Sequence, residues 1–170
     1  MKLLALLAVV AIAVGIFVWF SRDNSVKGAV VEHVFDGDTI ELVDGTRVRL
    51  VQIDTPERAD ECYGDEATAF TRRLLPPGTH VRIEQDPGLD QVDRFSRKLA
   101  YVWKGDENAN LTLVEQGAAG VWFFDGRRGR YANELLAAAE RARADHKGLW
   151  GACPLARFDP LDSLSTGPAA

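Results

Sequence analysis

The feature that most restricts the possible folds is an alternating β-hairpin in the first half of the chain. Residues 39–43 and 46–53 alternate apolar and polar side chains, and an Asp44-Gly45 turn joins them. An Asp-Gly pair between two such segments is the strongest short-range hairpin signal in a sequence. Pro56 ends the second strand, because proline has no amide hydrogen for a strand ladder.

Three further strands and three helices are predicted from similar patterns. We expect the strands at residues 28–35, 80–85 and 98–104, and the helices at 65–75, 111–116 and 131–146, with Asp65 and Asn110 as N-caps of the first two. Five short strands with three helices indicate an α+β protein built on a small closed or nearly closed β-barrel, of which the OB-fold is one type. A β-sandwich fits the periodicity nearly as well.

The N-terminal segment differs in composition from the rest of the chain. Residues 3–21 include no charged side chain, and a helix of about that length approaches the roughly 30 Å hydrocarbon core of a bilayer. We therefore predict that residues 1–21 are a hydrophobic helix that anchors the protein in a membrane or, alternatively, a cleaved signal segment. Residues 22–26 are a linker, 27–154 the folded domain, and 155–170 a flexible tail rich in Pro, Ser, Gly and Asp.

Net charge restricts how the protein could bind nucleic acid, and cysteine content indicates its compartment. The net charge of −5 argues against a protein that holds nucleic acid by bulk electrostatics alone, so any site for a polyanion must be built locally. Cys62 and Cys153 are the two cysteines of the chain. They could be small buried apolar residues, but we predict that they form a disulfide, which places the domain in an oxidising, extracytoplasmic compartment.

Two aspartates stand at the ends of the hairpin strands. Asp38 precedes the first strand and Asp54 follows the second, so antiparallel pairing brings them to the same end. Two carboxylates without nearby histidine or cysteine suit a hard divalent cation, with a main-chain carbonyl and water completing the shell. Taken alone, the run Asp36-Gly37-Asp38-Thr39 is an ordinary turn sequence.

Charged residues around Asp54 extend this pattern. Arg49 lies five residues before it and Glu57 three residues after it. A cation beside two guanidinium groups suits phosphoryl chemistry, and a nearby carboxylate can orient or deprotonate water. The second guanidinium could come from Arg94, from Arg97 or from a cluster at positions 127, 128 and 130, although any single arginine could equally be a solvated surface charge.

Ordered motifs across most of the domain resemble the staphylococcal nuclease (thermonuclease) family. They are Asp36-Gly37-Asp38-Thr39, the segment Arg49 to Glu57 with its Asp-Thr-Pro-Glu motif, Tyr63 to Ala67, Asp93 to Tyr101, Leu113 to Gly117, and Gly148-Leu149-Trp150. The resemblance covers about residues 27–151.

The resemblance implies a five-stranded OB-fold barrel with three helices and a calcium-dependent endonuclease. Its substrates would be DNA and RNA, single-stranded or denatured, and its products would carry 3′-phosphates. By motif position, Asp38, Asp54 and the Thr55 carbonyl would bind Ca²⁺, while Glu57 would act as the general base or position the water. Arg49 and Arg97 would bind the phosphate. We expect the enzyme to be a monomer.

The chain also departs from the family pattern. Trp122, Phe123 and Phe124 occupy a stretch where relatives carry tyrosines, and Asp60 and Glu61 make a short acidic loop. We expect Arg94, Phe95, Phe123, Arg127 and Arg128 to contact the substrate, Arg127 and Arg128 doing so unless their loop is simply solvated. The alternative function is a catalytically weak nucleic-acid-binding or scaffolding module, which would have no need for the complete set of catalytic side chains.

Overall fold

Residues 29–169 are described by the computed structural model of the chain. The predicted anchor or signal segment 1–21 and the linker 22–26 lie outside the described residues. Along residues 29–169, no helix is both long enough and apolar enough to cross a bilayer.

The described residues form eight strands and four α-helices. The strands are β1 (Ala29–Val34), β2 (Thr39–Leu42), β3 (Arg47–Leu50), β4 (Ile53–Asp54), β5 (His80–Glu84), β6 (Lys98–Lys104), β7 (Glu107–Asn108) and β8 (Gly120–Val121). The helices are α1 (Gly64–Leu74), α2 (Ala109–Glu115), α3 (Ala132–Ala144) and α4 (Leu149–Ala152), with a 3₁₀ turn at Phe124–Gly126.

Five of the strands close into a barrel. The predicted hairpin is β2–β3, in which Thr39 pairs with Arg49 and Glu41 pairs with Arg47. The strand order β3-β2-β1-β5-β6 ends in a parallel pairing of β3 with β6, which joins the two edges of the sheet. This closure confirms the five-stranded OB-type barrel and eliminates the β-sandwich.

The hydrophobic core fills the barrel and continues under the helices. Val31, Ile40 and Val48 are fully buried in the barrel wall. The predicted apolar stripe of the last helix is buried as well, with Leu135 and Ala138 inaccessible to solvent. At roughly 25 cal/mol per Å² of apolar surface, such burial is the main source of stability.

The N-caps of the first two helices differ from the prediction. Helix α1 begins at Gly64 after Tyr63, which has a left-handed backbone and provides no side-chain cap. Asn108, not Asn110, caps α2 by accepting a hydrogen bond from the Leu111 amide. The Asn110 side chain instead accepts from Val102 N (3.0 Å) and donates to the Val51 carbonyl (2.9 Å), so it ties the helix to the barrel.

The predicted disulfide is present between Cys62 and Cys153. It joins the loop before α1 to the residue that follows α4, two residues before the C-terminal segment begins. That segment, residues 155–169, which we call the tail, returns to the same loop. Its predicted flexibility in solution stays a prediction, and its contacts are described below.

Candidate active site

Close backbone packing at the end of the hairpin brings Asp38 and Asp54 to one place. Leu50 N donates to the Asp38 carbonyl at 2.8 Å. The Asp38 carboxylate accepts from Thr55 N at 3.1 Å and from Thr55 Oγ1 at 3.0 Å. A Cβ at Gly37 would lie 2.6 Å from Thr55 Oγ1, so this approach requires a glycine before Asp38.

The Arg49 guanidinium lies between the two aspartates. Its Nε is 2.9 Å from Asp38 Oδ1 and its Nη2 is 2.7 Å from Asp54 Oδ1. Nη1 donates to the carbonyls of Leu50 (2.6 Å) and Ile53 (2.8 Å). Because Arg49 is only 8% exposed, these bonds fix the plane of its guanidinium before any ligand arrives.

Negative charge is in excess around this arginine. Burial raises the pKa of the Asp38 carboxyl to about 7, while the Arg49 charge opposes the rise. Burial also raises the pKa of Asp54, where Arg49 again opposes it and the charges of Glu61 and Asp36 add to it. A cluster of carboxylates with one buried guanidinium is therefore short of positive charge.

The donor set matches a hard cation such as Ca²⁺. Asp38 and Asp54 supply carboxylate oxygens, and no hydrogen bond among the described residues uses the Thr55 carbonyl. Oxygen donors of this kind are the ones that Ca²⁺ prefers. Across residues 29–169 no group of three or more His, Cys, Asp or Glu side chains is arranged to hold a metal ion. A cation here would be held by the two carboxylates and the Thr55 carbonyl, with water as the remaining oxygen ligands.

Glu57 lies on the exposed edge of this cluster. Burial raises the pKa of its carboxyl, and the charges of Asp36, Asp54 and Glu61 raise it further. A Cβ at Gly64 would lie 2.2 Å from the Glu57 carbonyl, so the glycine that opens α1 allows the chain to pass here. No described hydrogen bond engages the Glu57 carboxylate, which leaves it available to water.

Arg97 approaches the same carboxylates from the start of β6. Its Nε donates to Asp93 Oδ2 at 2.7 Å, and its Nη1 donates to Thr39 Oγ1 at 3.1 Å. The Thr39 hydroxyl in turn donates to Asp38 Oδ1 at 3.2 Å. Thr39 therefore connects the second guanidinium to the metal-binding candidates, a role that the sequence pattern did not reveal.

A cavity of about 530 Å³ lies beside these groups. Four arginines line it, Arg49, Arg94, Arg97 and Arg127, together with the aromatic side chains of Phe95, Trp122 and Phe124. A second cavity, of about 390 Å³, shares Phe95 and Arg97 with the first and reaches Asp36 and Thr39. Asp90 and Asp93 also line the cavity and pair with Arg127 and Arg97, so arginine outnumbers aspartate in the lining by four to two. Arginines next to aromatic faces suit a polyanion that carries planar groups.

The structure brings three of the five proposed substrate contacts to the cavity. Arg94, Phe95 and Arg127 line it, and Phe95 is 63% exposed with the Arg94 guanidinium 4.7 Å from its ring centre. Phe123 is fully buried in the core, and Arg128 lies 5.4 Å above its ring, outside the cavity lining. Trp122 and Phe124, on either side of Phe123, face the cavity instead.

Gln52 is a second residue that the sequence analysis missed. Its backbone is left-handed, with φ of 66°, and its side chain is buried. Its amide donates to the Arg127 carbonyl at 2.9 Å and accepts from Gly129 N at 2.6 Å. Gln52 therefore fastens the arginine-bearing loop to the strand that carries Arg49.

Comparison with known proteins gives concordant matches. The family model described as staphylococcal nuclease homologue matches residues 47–152. The thermonuclease of Staphylococcus intermedius is 33% identical over 162 residues, covering 85% of this chain and 94% of that protein. The thermonuclease of Staphylococcus hyicus is 36% identical, covering 71% and 73%. Endonuclease YncB of Bacillus subtilis is 29% identical, covering 76% and 64%.

Proposed function

The chain belongs to the staphylococcal nuclease family, and we propose that it is a calcium-dependent endonuclease that hydrolyses DNA and RNA. The observation that carries this proposal is the position of Arg49. It bridges Asp38 and Asp54 on one side and lines the arginine-rich cavity on the other. A phosphodiester in the cavity would therefore meet a fixed guanidinium directly beside the candidate cation ligands.

Each remaining group of the site has a chemical task. Asp38, Asp54 and the Thr55 carbonyl would hold Ca²⁺, which when bound supplies positive charge that polarises a phosphate oxygen. Glu57 takes a proton from the attacking water, and its raised pKa makes it a stronger base than an ordinary glutamate. Arg49 and Arg97 donate hydrogen bonds to the phosphate oxygens as their charge increases.

The proposed reaction is a hydrolysis with defined products. The water oxygen forms a bond to phosphorus, and the bond between phosphorus and the 5′ oxygen breaks. The leaving oxygen takes up a proton to become a 5′-hydroxyl, and the phosphate stays on the 3′ oxygen of the other fragment. Glu57 then releases its proton to solvent, which completes the cycle.

The shape of the cavity supports an unpaired strand as substrate. The aromatic side chains of Phe95, Trp122 and Phe124 line the cavity and can stack on bases whose faces are not covered by neighbouring bases of a duplex. The second cavity extends past Arg97, so the groove continues beyond a single nucleotide. Both features favour internal cleavage of single-stranded or denatured DNA, or of RNA.

The experiment that tests the function is cleavage of denatured DNA by the full-length protein, with Ca²⁺ or with a chelator. We expect cleavage with Ca²⁺ and none with the chelator. Glu57→Gln, Arg49→Ala and Arg97→Ala should each lower kcat by about 100- to 10,000-fold. Glu66→Gln, which changes an exposed glutamate in the first turn of α1, is the matched control and should leave kcat unchanged.

Two outcomes would contradict the proposal. Cleavage that persists in chelator would exclude the calcium assignment while leaving a nuclease. Binding of polynucleotide without cleavage under any condition would instead favour the scaffolding function. A variant at Glu57, Arg49 or Arg97 with normal turnover would remove that residue from the mechanism.

We propose that the domain works outside the cytoplasm, either anchored by residues 1–21 or released after their cleavage. The Cys62–Cys153 disulfide supports an oxidising compartment. The mass of the mature protein distinguishes the two cases, because loss of the segment removes about twenty N-terminal residues. Recovery of the protein in its reduced form from the cytoplasm would contradict both.

A further inference from the structure

The tail returns from α4 to the loop that carries Glu57. Gly167 O accepts from Cys62 N at 2.9 Å, and Thr166 Oγ1 donates to Cys62 O at 2.7 Å. Ala169 N donates to Asp60 O at 3.0 Å. The tail is therefore held at its far end by the main chain of Cys62, the residue whose sulfur is bonded to Cys153 near its other end.

Within this tail, one backbone amide reaches the proposed calcium site. Leu164 N donates to Asp54 Oδ2 at 2.9 Å. The other oxygen of the same carboxylate, Oδ1, accepts from Arg49 Nη2. Arg49 and Leu164 thus hold the two oxygens of Asp54 from opposite ends of the domain sequence, and together they fix the orientation of the carboxylate.

We propose that the tail is part of the metal centre, with Leu164 acting as a positioning residue whose N–H orients Asp54 for Ca²⁺. This inference rests on the proposed calcium site. Carboxylates that bind metals are usually hydrogen-bonded by an outer shell of donors, and loss of such a donor typically costs 10- to 100-fold in metal affinity.

The position of the tail indicates that it supports the proposed metal site and does not block the cavity. Among the described residues, none of those that line the two cavities beside Arg97 belongs to the tail. The cavity lining and the tail are therefore separate sets of residues. Thr166, which is 1% exposed, anchors the segment two residues beyond Leu164.

The decisive variant is Leu164→Pro in the full-length protein, because proline removes the N–H and keeps an apolar side chain. Calorimetric titration with Ca²⁺ should give a Kd 10- to 100-fold weaker than wild type. Leu164→Ala keeps the N–H and should stay within about twofold of wild type. Leu161→Pro is the matched proline control, because it removes an equivalent tail bond, from Leu161 N to Asp159 Oδ1, that does not touch the site.

A second measurement needs no variant and guards against misfolding of Leu164→Pro. In the wild-type protein, Ca²⁺ should shift the amide proton resonance of Leu164 with the same Kd as the calorimetric titration. The Leu161 amide, bonded to a carboxylate outside the site, should shift much less. A Leu164 resonance that does not respond to Ca²⁺ would overturn the inference.

The outcomes separate this inference from the proposed function. If wild type binds no Ca²⁺, the calcium assignment fails and the inference with it. If wild type binds Ca²⁺ and Leu164→Pro binds it equally well, only the role of Leu164 fails. Tighter binding by Leu164→Pro would also overturn the inference, because the tail would then compete with the ion.

Discussion

Removal of the Cys62–Cys153 disulfide should cost a large part of the stability of the domain. The bond closes a sequence interval of 91 residues. In the chain-entropy description, a loop of that length restricts the unfolded chain by about 4.5 kcal/mol at 25 °C. Native single domains are stable by roughly 5–15 kcal/mol, so the double variant Cys62→Ala/Cys153→Ala is expected to lie close to the folding threshold.

Urea unfolding of the full-length protein measures this loss. The free energy of unfolding should fall by about 4.5 kcal/mol, and the m value should rise because an unfolded chain without the cross-link exposes more surface. Each single variant, Cys62→Ala or Cys153→Ala, breaks the same bond and should lose nearly as much as the double variant. A loss below about 1.5 kcal/mol with an unchanged m value would refute the entropic argument.

Removal of the disulfide should also weaken Ca²⁺ binding at the proposed metal site, because the tail connects the two. Cys62 binds the tail through its main-chain N–H and carbonyl, and Cys153 lies two residues before the tail begins. Without the bond, the loop and the start of the tail can separate, so the Leu164 amide is held less firmly against Asp54. We expect weaker Ca²⁺ binding by the double variant under conditions where it is still folded. Unchanged affinity would show that the tail contacts suffice without the bond.

Three further changes test other parts of the site. Arg127→Ala should raise KM on polynucleotide and account for most of the effect of the triple variant at 127, 128 and 130, because Arg127 alone of the three lines the cavity; equal effects of all three single variants would contradict this. Gln52→Leu should destabilise the fold by about 2 kcal/mol in urea unfolding, since it leaves two partly buried backbone groups without their partners, and a neutral result would remove the fastening role. Without Ca²⁺, the free energy of unfolding should fall between pH 5 and pH 8 more in wild type than in Asp38→Asn. Burial raises the pKa of folded Asp38 from 3.8 to about 7, so the stability contributed by its protonated form is lost as pH rises through that value; parallel pH profiles would exclude it.

The barrel and the carboxylate pair follow from local sequence signals. The Asp44-Gly45 turn fixes the register of the β2–β3 hairpin. That register alone places residue 38 beside residue 50 and carries Asp54 to the same end. Closure of the barrel by β3 and β6 is different, because a parallel pairing between distant strands has no local signature. Periodicity alone therefore does not exclude a β-sandwich, and the family motifs favour the barrel.

Phe123 was predicted to contact the substrate but is buried, and the alternation of apolar residues around it indicates this burial. Val121 and Phe123 are buried, whereas Trp122 and Phe124 face the cavity. This alternation continues the period of two of a strand from β8 up to Phe124, where the 3₁₀ turn begins. Val121 is an apolar residue of the β4–β8 pair. Alternation that starts from Val121 predicts that Trp122 and Phe124, the even-numbered residues, face the cavity.

Leu164 had no comparable signal, and the reason is general. It acts through a backbone N–H, which every residue except proline provides. The identity of its side chain therefore does not indicate that this residue binds Asp54. The tail composition, rich in Pro, Ser, Gly and Asp, indicates turns and not a partner for Asp54. The contact depends on a return of the chain across 110 residues of sequence. A proposed metal site can thus be complete in its side chains at the level of sequence and still depend on main-chain donors that only the folded chain brings into place.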